Sequence, residues 1–516
     1  MPAKRKVGNI ISVGAPIGGW NVRDPLPAMN PLFAPIMDNC FCLPSEIQVR
    51  RGWQEHATFT GTCETLMPYD STNGTTYIFA AVDNGVTTDI YDVTSPGAVG
   101  TAEVSNLSNA RFKYSHAATG AGQYSYFVNA EDDALIYDGT TFQAVNSSST
   151  PFAITGIATS SFSDVINHKR RLWFVEKGSM NCWYLPTDQV GGAAVKYNFG
   201  PVFARGGFIV KVDTWSLDAG AGLDDHFVVT TSEGEVAVYS GTDPASASTW
   251  QLVGVFLIGS PTGNGRTCKY GGDLLLINKD GIAQMSKSLM SSRVNTQLQL
   301  TDKIQPQLAQ DAIDYAANHG WDIVLFPPAN MLLVNIPLSD GNSYQYVMNT
   351  ISGGWARWTN IPAKTWLYAN EKIYWGGKDV VGQGWFGQSD NGSPVIAEIL
   401  PAYQNFGSGS QLMRWTLGRI LLGTSSNFTY GARIEVDFDL RLNEVAMPFI
   451  EDLPVAIYGT SEYGDSVYGG TLTVKKRWQN LSGMGYWGSL HMKFETTYAD
   501  VRIYSYDMMI EAGGNI

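Results

Sequence analysis

The hairpin His226-Phe-Val-Val-Thr230, Ser232-Glu-Gly234, Glu235-Val-Ala-Val-Tyr239 shows the pattern that decides the fold of this chain. An apolar run is followed by an acidic or glycine turn and by a second apolar run that ends near an aromatic residue. The pattern occurs seven times, and its first runs begin at Tyr77, Tyr124, Arg171, His226, Asp273, Met331 and Lys372. These starts are 47, 47, 55, 47, 58 and 41 residues apart. A repeat of about 40 to 50 residues without helical periodicity indicates the four-stranded blades of a β-propeller.

The turns inside the repeats favour strands over helices. Asp83-Asn-Gly85 and Lys279-Asp-Gly281 consist of residues that accept the positive backbone angles of tight hairpins. The returning runs, such as residues 134–137, 181–184 and 384–386, are rich in β-branched and aromatic residues. A large antiparallel sandwich also alternates hairpins, although it seldom keeps so even a period. We therefore predict an all-β protein in which residues 61–395 form a β-propeller of six or seven blades.

The segment before the repeats, residues 1–60, is irregular. Its prolines each deny a strand interior its hydrogen-bond donor; they are Pro16, Pro25, Pro27, Pro31, Pro35 and Pro44. This composition predicts an N-terminal strap or arm that gains its order from a neighbouring subunit or from an adjoining ring.

One helical signal interrupts the blades at residues 301–318. Thr301 and Asp302 offer a cap, and Ile304, Leu308 and Ile313 recur at near-helical spacing. The segment lies inside the longest repeat, so we expect an insertion between two blades. It could pack on the rim of the propeller or contact a neighbouring subunit.

After residue 396 the pattern changes to clean alternation. In Arg433-Ile-Glu-Val-Asp-Phe-Asp-Leu-Arg441 the apolar and acidic side chains point to opposite faces. Residues 396–516 are therefore predicted to form a separate C-terminal β-sandwich or barrel. Within it, residues 459–470 read as an exposed loop whose flanking and internal tyrosines, Tyr458, Tyr463 and Tyr468, suit either a subunit contact or an ordinary surface loop.

Charge limits the classes of partner. The 516 residues carry a net charge of -13, and only 16% are charged. An acidic body argues against a sequence-independent DNA-binding surface, which needs clustered Lys and Arg. Like charge would nevertheless suit a wall past which DNA slides. The five cysteines are scattered and odd in number, which fits reduced thiols made in a cytoplasm. We find no stretch of roughly 20 apolar residues and expect no membrane span.

Catalytic motifs are missing from the sequence. It has no P-loop, no dinucleotide fingerprint, no zinc-protease helix and no nucleophile elbow. Glycoside hydrolysis needs only two carboxylates, so a glycan-cleaving propeller must be weighed. The nearest approach to the repeated turn of sialidase-type propellers is Ser216-Leu-Asp218-Ala-Gly220, which occurs once and lacks the aromatic residue. We expect no catalytic, cofactor-binding or metal-binding residues and no enzyme activity.

Several short motifs are spread along nearly the whole chain. They begin with Gly18-Gly-Trp20-Asn-Val-Arg-Asp24-Pro25, Asn39 and Arg50-Arg-Gly-Trp53. They continue with residues 302–318, Leu325-Phe-Pro327, Gly353-Gly-Trp355-Ala-Arg-Trp358 and the closing Ala512-Gly-Gly514. In these motifs the chain resembles the tail nozzle or hub proteins of short-tailed bacteriophages, also called packaged DNA stabilisation proteins.

The resemblance implies a structural virion protein that is made in the host cytoplasm and resides in the tail. It implies a hexameric ring that retains and conducts the genome, contacts the adaptor near the portal, and carries tail fibres or spikes. Candidate channel or gate residues lie in two glycine-rich loops: Asp218, Asp224, Asp225, Asn264 and Arg266. Candidate subunit contacts are Trp20, Arg50, Arg51, Trp53, Tyr458, Tyr463 and Tyr468. The alternative is a glycan-binding or glycan-cleaving propeller.

Overall fold

The computed structural model describes residues 8–216, 225–263, 265–291, 299–339, 341–406, 411–439, 449–451 and 472–512. Short strands occupy the N-terminal segment: β1 (Asn9–Gly14), β2 (Gly19–Trp20), β3 (Phe33–Ala34), β4 (Ile36–Asp38), β5 (Cys40–Cys42) and β6 (Ile47–Val49).

The central strands are β7 (Trp53–Asp70), β8 (Thr76–Asp83), β9 (Thr88–Asp92), β10 (Gly97–Ala98), β11 (Val104–Leu107), β12 (Lys113–Thr119), β13 (Gly122–Val128), β14 (Ala134–Tyr137), β15 (Phe142–Val145), β16 (Ile154–Thr155), β17 (Phe162–His168), β18 (Arg171–Glu176), β19 (Asn181–Tyr184), β20 (Gly192–Ala193), β21 (Val195–Asn198), β22 (Ile209–Trp215), β23 (His226–Thr231), β24 (Glu235–Gly241), β25 (Trp250–Leu257), β26 (Thr267–Tyr270), β27 (Asp273–Asn278), β28 (Gly281–Gln284), β29 (Asp322–Phe326), β30 (Met331–Pro337), β31 (Ser343–Asn349), β32 (Trp355–Trp358), β33 (Thr365–Ala369), β34 (Lys372–Gly376), β35 (Lys378–Gly384) and β36 (Ser389–Asp390).

The C-terminal strands are β37 (Ser393–Leu400), β38 (Met413–Thr424), β39 (Phe428–Val436), β40 (Phe449–Glu451), β41 (Thr473–Gly485), β42 (Gly488–Thr496) and β43 (Val501–Ala512). Two α-helices are described, α1 (Met285–Ser291) and α2 (Gln305–Tyr315). Short 3-10 turns occur at Leu26–Ala28, Thr159–Ser161, Gly200–Val202 and Pro327–Ala329.

The central strands form a β-propeller, and the predicted fold class is confirmed. Seven antiparallel sheets follow one another along the chain: β7–β9 with β11, β12–β15, β17–β19 with β21, β22–β25, β26–β28, β29–β32, and β33–β35 with β7. We call them blades 1 to 7. Neighbouring first strands contact each other, as β7 does with β12, β12 with β17, and β33 with β7, so the first strands surround the axis. Each of the seven apolar runs read from the sequence is the second strand of a blade.

Strand β7 closes the ring. Its first half pairs with β35 of blade 7, where Thr58 lies opposite Val380, and its second half pairs with β8 of blade 1, where Met67 lies opposite Phe79. The chain bends between the halves at Gly61, whose φ is 129° and whose N–H donates to Asp379 Oδ1 at 2.8 Å. One continuous strand therefore supplies the outermost strand of the last blade and the innermost strand of the first.

The returning strand of blade 7 differs from the prediction at residues 384–386. β35 ends at Gly384, and Trp385, with a φ of 55°, lies beyond it. The return strand starts earlier than expected: Gly376 pairs with Val381, the turn lies at residues 377–380, and Val381–Gly384 pair with β34.

A two-sheet sandwich follows the propeller. One sheet has the order β41-β38-β43-β6-β5, with β1 also on β43, and the other joins β4, β37, β42, β39 and β40. Trp415, Ile420 and Leu422 from the first sheet share one core with Met492 and Phe494 from the second. The alternating strand predicted at residues 433–441 stops at Val436, because Asp437 and Phe438 have φ of 49° and 64°.

The prediction that residues 1–60 form a strap ordered by a neighbouring subunit or ring is wrong. The predicted boundary between this segment and the C-terminal domain is wrong as well. β1 pairs with β43 over residues 9–14, β6 pairs with β43, and β4 pairs with β37. The prolines do not prevent this because all six lie between the short strands. The N-terminal segment is thus a built-in part of the sandwich of its own subunit.

The predicted helical insertion is present but shorter. α2 begins at Gln305 without a side-chain cap, because the residue at its N-cap is Ile304, and Asp302 pairs with Arg23. Leu308 and Ala312 pack into the core shared with the sandwich, whereas Ile313 is 71% exposed. The helix lies between blades 5 and 6 and packs on its own chain.

We predict that removing residues 1–40 leaves an aggregated or molten sandwich. The truncation deletes β1 and β4, which pair with β43 and β37, and deletes the buried side chains of Trp20 and Met37. Size-exclusion chromatography and limited proteolysis would reveal the loss. Removal of residues 1–7 alone is the control and should preserve the elution position. A monodisperse 1–40 deletion that resists protease as the full chain does would contradict the prediction.

Candidate functional site

A cavity of about 570 Å³ opens at one end of the propeller axis. Its walls come from the hairpins between second and third strands in blades 1 to 4 and from the connections that lead into first strands. The charged residues that line it are Glu64, Asp83, Arg111, Lys113, Glu131 and Lys177. Phe208, which is 44% exposed, supplies an apolar side chain at the same place. The site is therefore a polar cavity within the range of about 300 to 1,000 Å³ that is typical of ligand sites.

Two ion pairs balance most of the charge around the cavity. Arg111 Nε lies 3.0 Å from Glu64 Oε2, and Lys177 Nζ lies 3.8 Å from Glu131 Oε1. The Arg111 and Lys177 side chains are 54% and 57% exposed. Exposed pairs of this kind contribute little to stability and can exchange partners with a ligand.

Lys113, the first residue of β12, is the more constrained cation. Its Nζ donates to the carbonyl of Val210 at 3.1 Å. Burial lowers the pKa of Lys113 to about 8, and the charges of Lys211 and Arg266 act in the same direction, while Asp164 opposes them. Keeping this ammonium group charged at neutral pH therefore lowers the stability of the folded protein.

Asp164 is fully buried and organises the neighbouring blade. Its carboxylate accepts from Lys211 Nζ at 3.1 Å and from the Val212 N–H at 3.0 Å. Arg266 lies 3.9 Å from Asp322. Lys113, Lys211 and Arg266 thus bring positive charge together from the inner-strand regions of blades 2, 4 and 5.

The predicted gate residues are not brought together. Asp218, Asp224 and Asn264 lie outside the described residues. Asp225 precedes β23, in the hairpin between the first and second strands of blade 4, at the end of the propeller opposite to the cavity. Arg266 lies before β26, on the cavity side. Of the predicted set, Arg266 alone among the described residues is close to the cavity.

The residues predicted to contact another subunit differ in their surroundings. Tyr458, Tyr463 and Tyr468 lie outside the described residues. Trp20 is 4% exposed and Arg50 is fully buried, so the prediction that their side chains contact another subunit is wrong: both are enclosed by their own chain. Trp53 is half-buried against Trp375, with ring centroids 4.8 Å apart. Arg51 is exposed, and its guanidinium lies 5.7 Å from the ring centroid of Trp385.

Arg50 is buried because every N–H of its guanidinium has an acceptor. Nη1 and Nη2 donate to the two carboxylate oxygens of Asp390 at 2.7 and 2.6 Å. Nε donates to Asn39 Oδ1 at 2.8 Å. The remaining two N–H groups reach the carbonyls of Arg51 and Thr359, both at 3.0 Å. All five donors of the guanidinium are satisfied.

The motifs that carry the family resemblance meet around this arginine. Asn39 Nδ2 donates to Thr359 Oγ1 and to the carbonyl of Ile396, both at 2.8 Å. Arg357 makes a bidentate pair with Asp38 at 2.9 and 2.6 Å.

Further along the same junction, Lys303 Nζ lies 3.0 Å from Asp24. Gly19, with a φ of 82°, lies so close to Trp355 that a Cβ would meet its carbonyl oxygen at 2.4 Å. The N-terminal segment, the start of the helical insertion and the end of blade 6 thus form one junction between propeller and sandwich, which we call the Arg50 junction.

Sequence reasoning missed the cavity lysine and one buried histidine. His491 is 3% exposed and lies between Glu398, 2.7 Å from Nε2, and Glu435, 3.1 Å from Nδ1. Glu435 is fully buried, although strand alternation placed it on a solvent-facing side. Lys113 begins β12, Lys-Tyr-Ser-His-Ala-Ala-Thr, whose mixture of polar and apolar residues gave no signal for its burial. No three His, Cys, Asp or Glu side chains of the described residues are grouped to hold a metal ion. Within the described ranges, no helix has the length and apolar character needed to cross a membrane.

Fold and site together define a seven-bladed propeller joined to a sandwich. The sequence matches no protein-family model. Comparison with curated proteins finds no match. Among solved structures, the chain is similar to YCF48 bound to D1 peptide, with 12% identity and a TM-score of 0.37 over 65% of this chain and 95% of that chain.

Two further structures are similar over comparable lengths. YCF48 from Cyanidioschyzon merolae has 12% identity and a TM-score of 0.35, covering 64% of this chain and 98% of that chain. Chaetomium thermophilum Sqt1 bound to the N-terminus of the ribosomal protein L10 has 9% identity and a TM-score of 0.33, covering 62% and 80%. At these TM-scores the likenesses carry no argument about what this chain does.

We predict that Arg50→Met lowers the free energy of unfolding by about 3–5 kcal/mol, because it leaves Asp390 as a buried charge without its counterion. The matched control is Arg170→Met, since Arg170 is 74% exposed in its pair with Asp188 and should matter by less than about 1 kcal/mol. Urea unfolding followed by tryptophan fluorescence measures both. Equal losses in the two variants would contradict the assigned role of Arg50.

We predict that Lys113→Met stabilises the protein at pH 7, by roughly 1–3 kcal/mol. The folded-state pKa of about 8 lies below the ordinary value of 10.5, so between these pH values the unfolded chain binds more protons and native stability rises with pH. The gap between variant and wild type should therefore shrink as the pH rises from 8 towards 10.5.

The measurement is urea unfolding at several pH values, with Lys372→Met as the control because Lys372 is exposed at the opposite end of the propeller. A gap that stays constant with pH would show that the Lys113 ammonium group is not the cause.

Proposed function

We propose that this chain is a structural tail protein of a short-tailed bacteriophage, a nozzle or hub that forms a ring of six copies. In this role the ring retains the packaged genome, conducts double-stranded DNA without sequence specificity, and opens for ejection. The adaptor near the portal and the tail fibres or spikes are its proposed partners, and the virion tail is its proposed location.

The observation that carries the proposal is the position of the motif residues. Trp20, Asn39, Arg50 and Arg357 come from motifs that are far apart in sequence, yet all belong to the Arg50 junction. Trp20 packs on Tyr346 at 5.0 Å, and the Arg357 guanidinium lies 5.7 Å from the Trp20 ring centroid. Because these residues lie at one junction of the fold, the separate motifs describe a single structural feature. This supports treating them together as one resemblance to the tail nozzle or hub family.

The architecture suits a protein that must resist mechanical force. The sandwich is joined to the propeller by buried ion pairs and hydrogen bonds along the Arg50 junction rather than by a flexible linker. A rigid connection of this kind suits a ring whose subunits must withstand the pressure of packaged DNA. The charge of the whole chain, -13, favours a wall that does not retain phosphates.

The competing class is a propeller that binds or cleaves surface glycans. Its catalytic form requires two carboxylates facing a common substrate, about 5–10 Å apart. The cavity carboxylates Glu64 and Glu131 are instead each held by a cation, 3.0 and 3.8 Å away. Such pairing favours the structural proposal, because each of these carboxylates is engaged by a cation of its own chain and the two do not face a common substrate as a catalytic pair must.

We predict that the purified protein forms rings of six copies with a mass of about 340 kDa, six times the 56.2 kDa of one chain. Mass photometry and negative-stain microscopy would detect them, with added adaptor protein if assembly requires it. Particles produced without this chain should package DNA and then lose it to nuclease. A stable monomer that also releases sugar from surface glycans would overturn the proposal.

A further inference from the structure

We propose that the circumference of blade 4 is a docking surface for an extended, uncharged segment of a partner protein, which pairs with β25 as an additional outermost strand. The partner is identified by its chemistry, a strand-forming backbone with aliphatic side chains at alternate positions. In such strand addition, main-chain hydrogen bonds give the affinity and side-chain pockets give the specificity. The surface belongs to a single subunit and does not depend on the proposed ring.

Strand β25 is an open edge of its sheet. It spans the eight residues Trp250–Leu257, and the sheet of blade 4 runs in the order β22-β23-β24-β25. Within the part of the chain that the structure describes, the outer row of its N–H and C=O groups therefore faces no other strand. An exposed row of this kind is a template for a further strand. An extended segment can satisfy these backbone groups, whereas a docked helix cannot, because its own backbone groups are already paired.

The composition of β25 leaves this edge poorly protected against pairing. Leu252, Val253 and Val255 are 45%, 54% and 37% exposed. No charged residue occurs in the sequence between Asp243 and Arg266, although charged side chains are a common protection of exposed edges. A bulge at Val253 interrupts the ladder with β24, but residues 254–257 continue in regular register. The edge is thus suited to accept a strand.

The outermost strands of the other blades differ from β25. Those of blades 1, 2, 3 and 5, which are β11, β15, β21 and β28, have four residues each. In blade 6, β32 pairs on its outer side with β2 and β4. In blade 7, the first half of β7 pairs with β10 and β36. Among the described strands, β25 is therefore the longest outermost strand of a blade that has no outer neighbour.

An apolar groove lies beside β25, because neighbouring blades diverge towards the circumference. Leu252 lies opposite Tyr239, whose ring belongs to the core between blades 3 and 4, so Leu252 faces blade 3. Val255, beyond the bulge, faces the same way. On the other wall, Val195 lies opposite Tyr184 of the same core and is 44% exposed. Both walls thus offer aliphatic side chains that an added strand can cover.

The distribution of charge favours an uncharged occupant. Lys196, the neighbour of Val195 in the sequence, faces blade 2 and therefore points away from the groove. Charged groups occur at the ends of the groove, where Asp243 lies 3.8 Å from Arg171 and Glu235 accepts from the Arg205 N–H at 2.8 Å. A charged side chain placed between the aliphatic walls would lose water without gaining a counterion.

The neighbouring groove shows what kind of chain fills such a space. Between blades 2 and 3, two segments of the same chain cover the circumference, and there β16 pairs with β20. Phe152, Ile157 and Val190 of these segments pack against the core between the two blades. Extended chain with large apolar side chains is thus the filling that this propeller already uses between two blades. The groove beside β25 has the same apolar walls with their aliphatic side chains exposed.

The test uses the full-length protein and a fluorescent peptide of alternating threonine and valine, measured by fluorescence anisotropy. We expect saturable binding of one peptide per chain. Val255→Lys should weaken binding about tenfold or more, because it places a charge in the apolar groove. The matched control is Val86→Lys, since Val86 is 91% exposed in the hairpin between β8 and β9 of blade 1, and this variant should bind as the wild type does.

A second peptide separates strand pairing from apolar contact alone. It has the same side chains, but each of its backbone amides is N-methylated, so it has no N–H donors. We expect it not to bind. Val195→Lys, on the blade 3 wall, should weaken binding of the unmethylated peptide and keeps the test decisive if Val255→Lys fails to fold.

The proposal is overturned by the absence of saturable binding, by equal affinity in the wild type and both groove variants, or by equal binding of the methylated peptide. It is also overturned if mass photometry finds dimers that Val255→Lys abolishes and that the peptide does not dissociate, because a second copy then covers the edge. Val255→Lys should still form six-copy rings, so failure of the wild type to form rings bears on the proposed function alone.

Discussion

A single buried guanidinium sets the geometry of this protein. Arg50 must leave water completely, and it can do so only if five acceptors are already in place. Those acceptors belong to the N-terminal segment, to the end of blade 6 and to β36 beyond blade 7. The arginine therefore makes the positions of three separate chain regions interdependent. Asn39, at a φ of 53°, belongs to the same constraint because its side chain accepts from Arg50 and donates to Thr359.

This constraint explains why the propeller and the sandwich cannot be treated as two independent domains. One hydrophobic core contains Trp20 and Met37 of the N-terminal segment, Leu308 of the inserted helix, Tyr346 of blade 6 and Trp415 of the sandwich. Blades 2 to 4, by contrast, pack in cores of their own between neighbouring sheets. The molecule thus has a modular half, in which blades repeat, and a fused half, in which sequence repetition is lost.

The modular half was predictable from the sequence and the fused half was not. Each second strand of a blade is a continuous apolar run because it is buried on both faces, and a hairpin turn at fixed distance follows it. The N-terminal strands of two to six residues are too short to show a period, and their partners are far away: Arg50 bonds Asp390 across 340 residues. Glu435 shows the same limitation of sequence-based prediction. The alternating pattern predicts an exposed side chain, but it does not show that Arg433 and His491 are ion-pair partners that allow the carboxylate to be buried.

Part of the candidate site was likewise predictable from the sequence, and part of it was not. The loop containing Arg266 could be found from its glycines, because such loops connect blades at the axis. Lys113 could not be distinguished from a surface lysine, since its burial depends on residues of blades 4 and 5, which are not adjacent to blade 2 in the ring. The sequence also gave no indication that Asp225 and Arg266 lie at opposite ends of the propeller. Their separation follows from the alternation of hairpins between the two ends, which requires the blade topology first.

The shared strand β7 has a consequence for biosynthesis. Its first half leaves the ribosome before any blade exists, but its pairing partner β35 is completed only when residue 384 emerges. Until then Gly382 and Gln383 are not available to Glu55 and Gln54, and the first half of β7 remains an open edge of the nascent chain. Blades 2 to 4 can assemble during translation, since their strands pair locally. Ring closure must come afterwards, so the beginning of the chain waits the longest for its final neighbours and is the segment most exposed to wrong pairing in the cell.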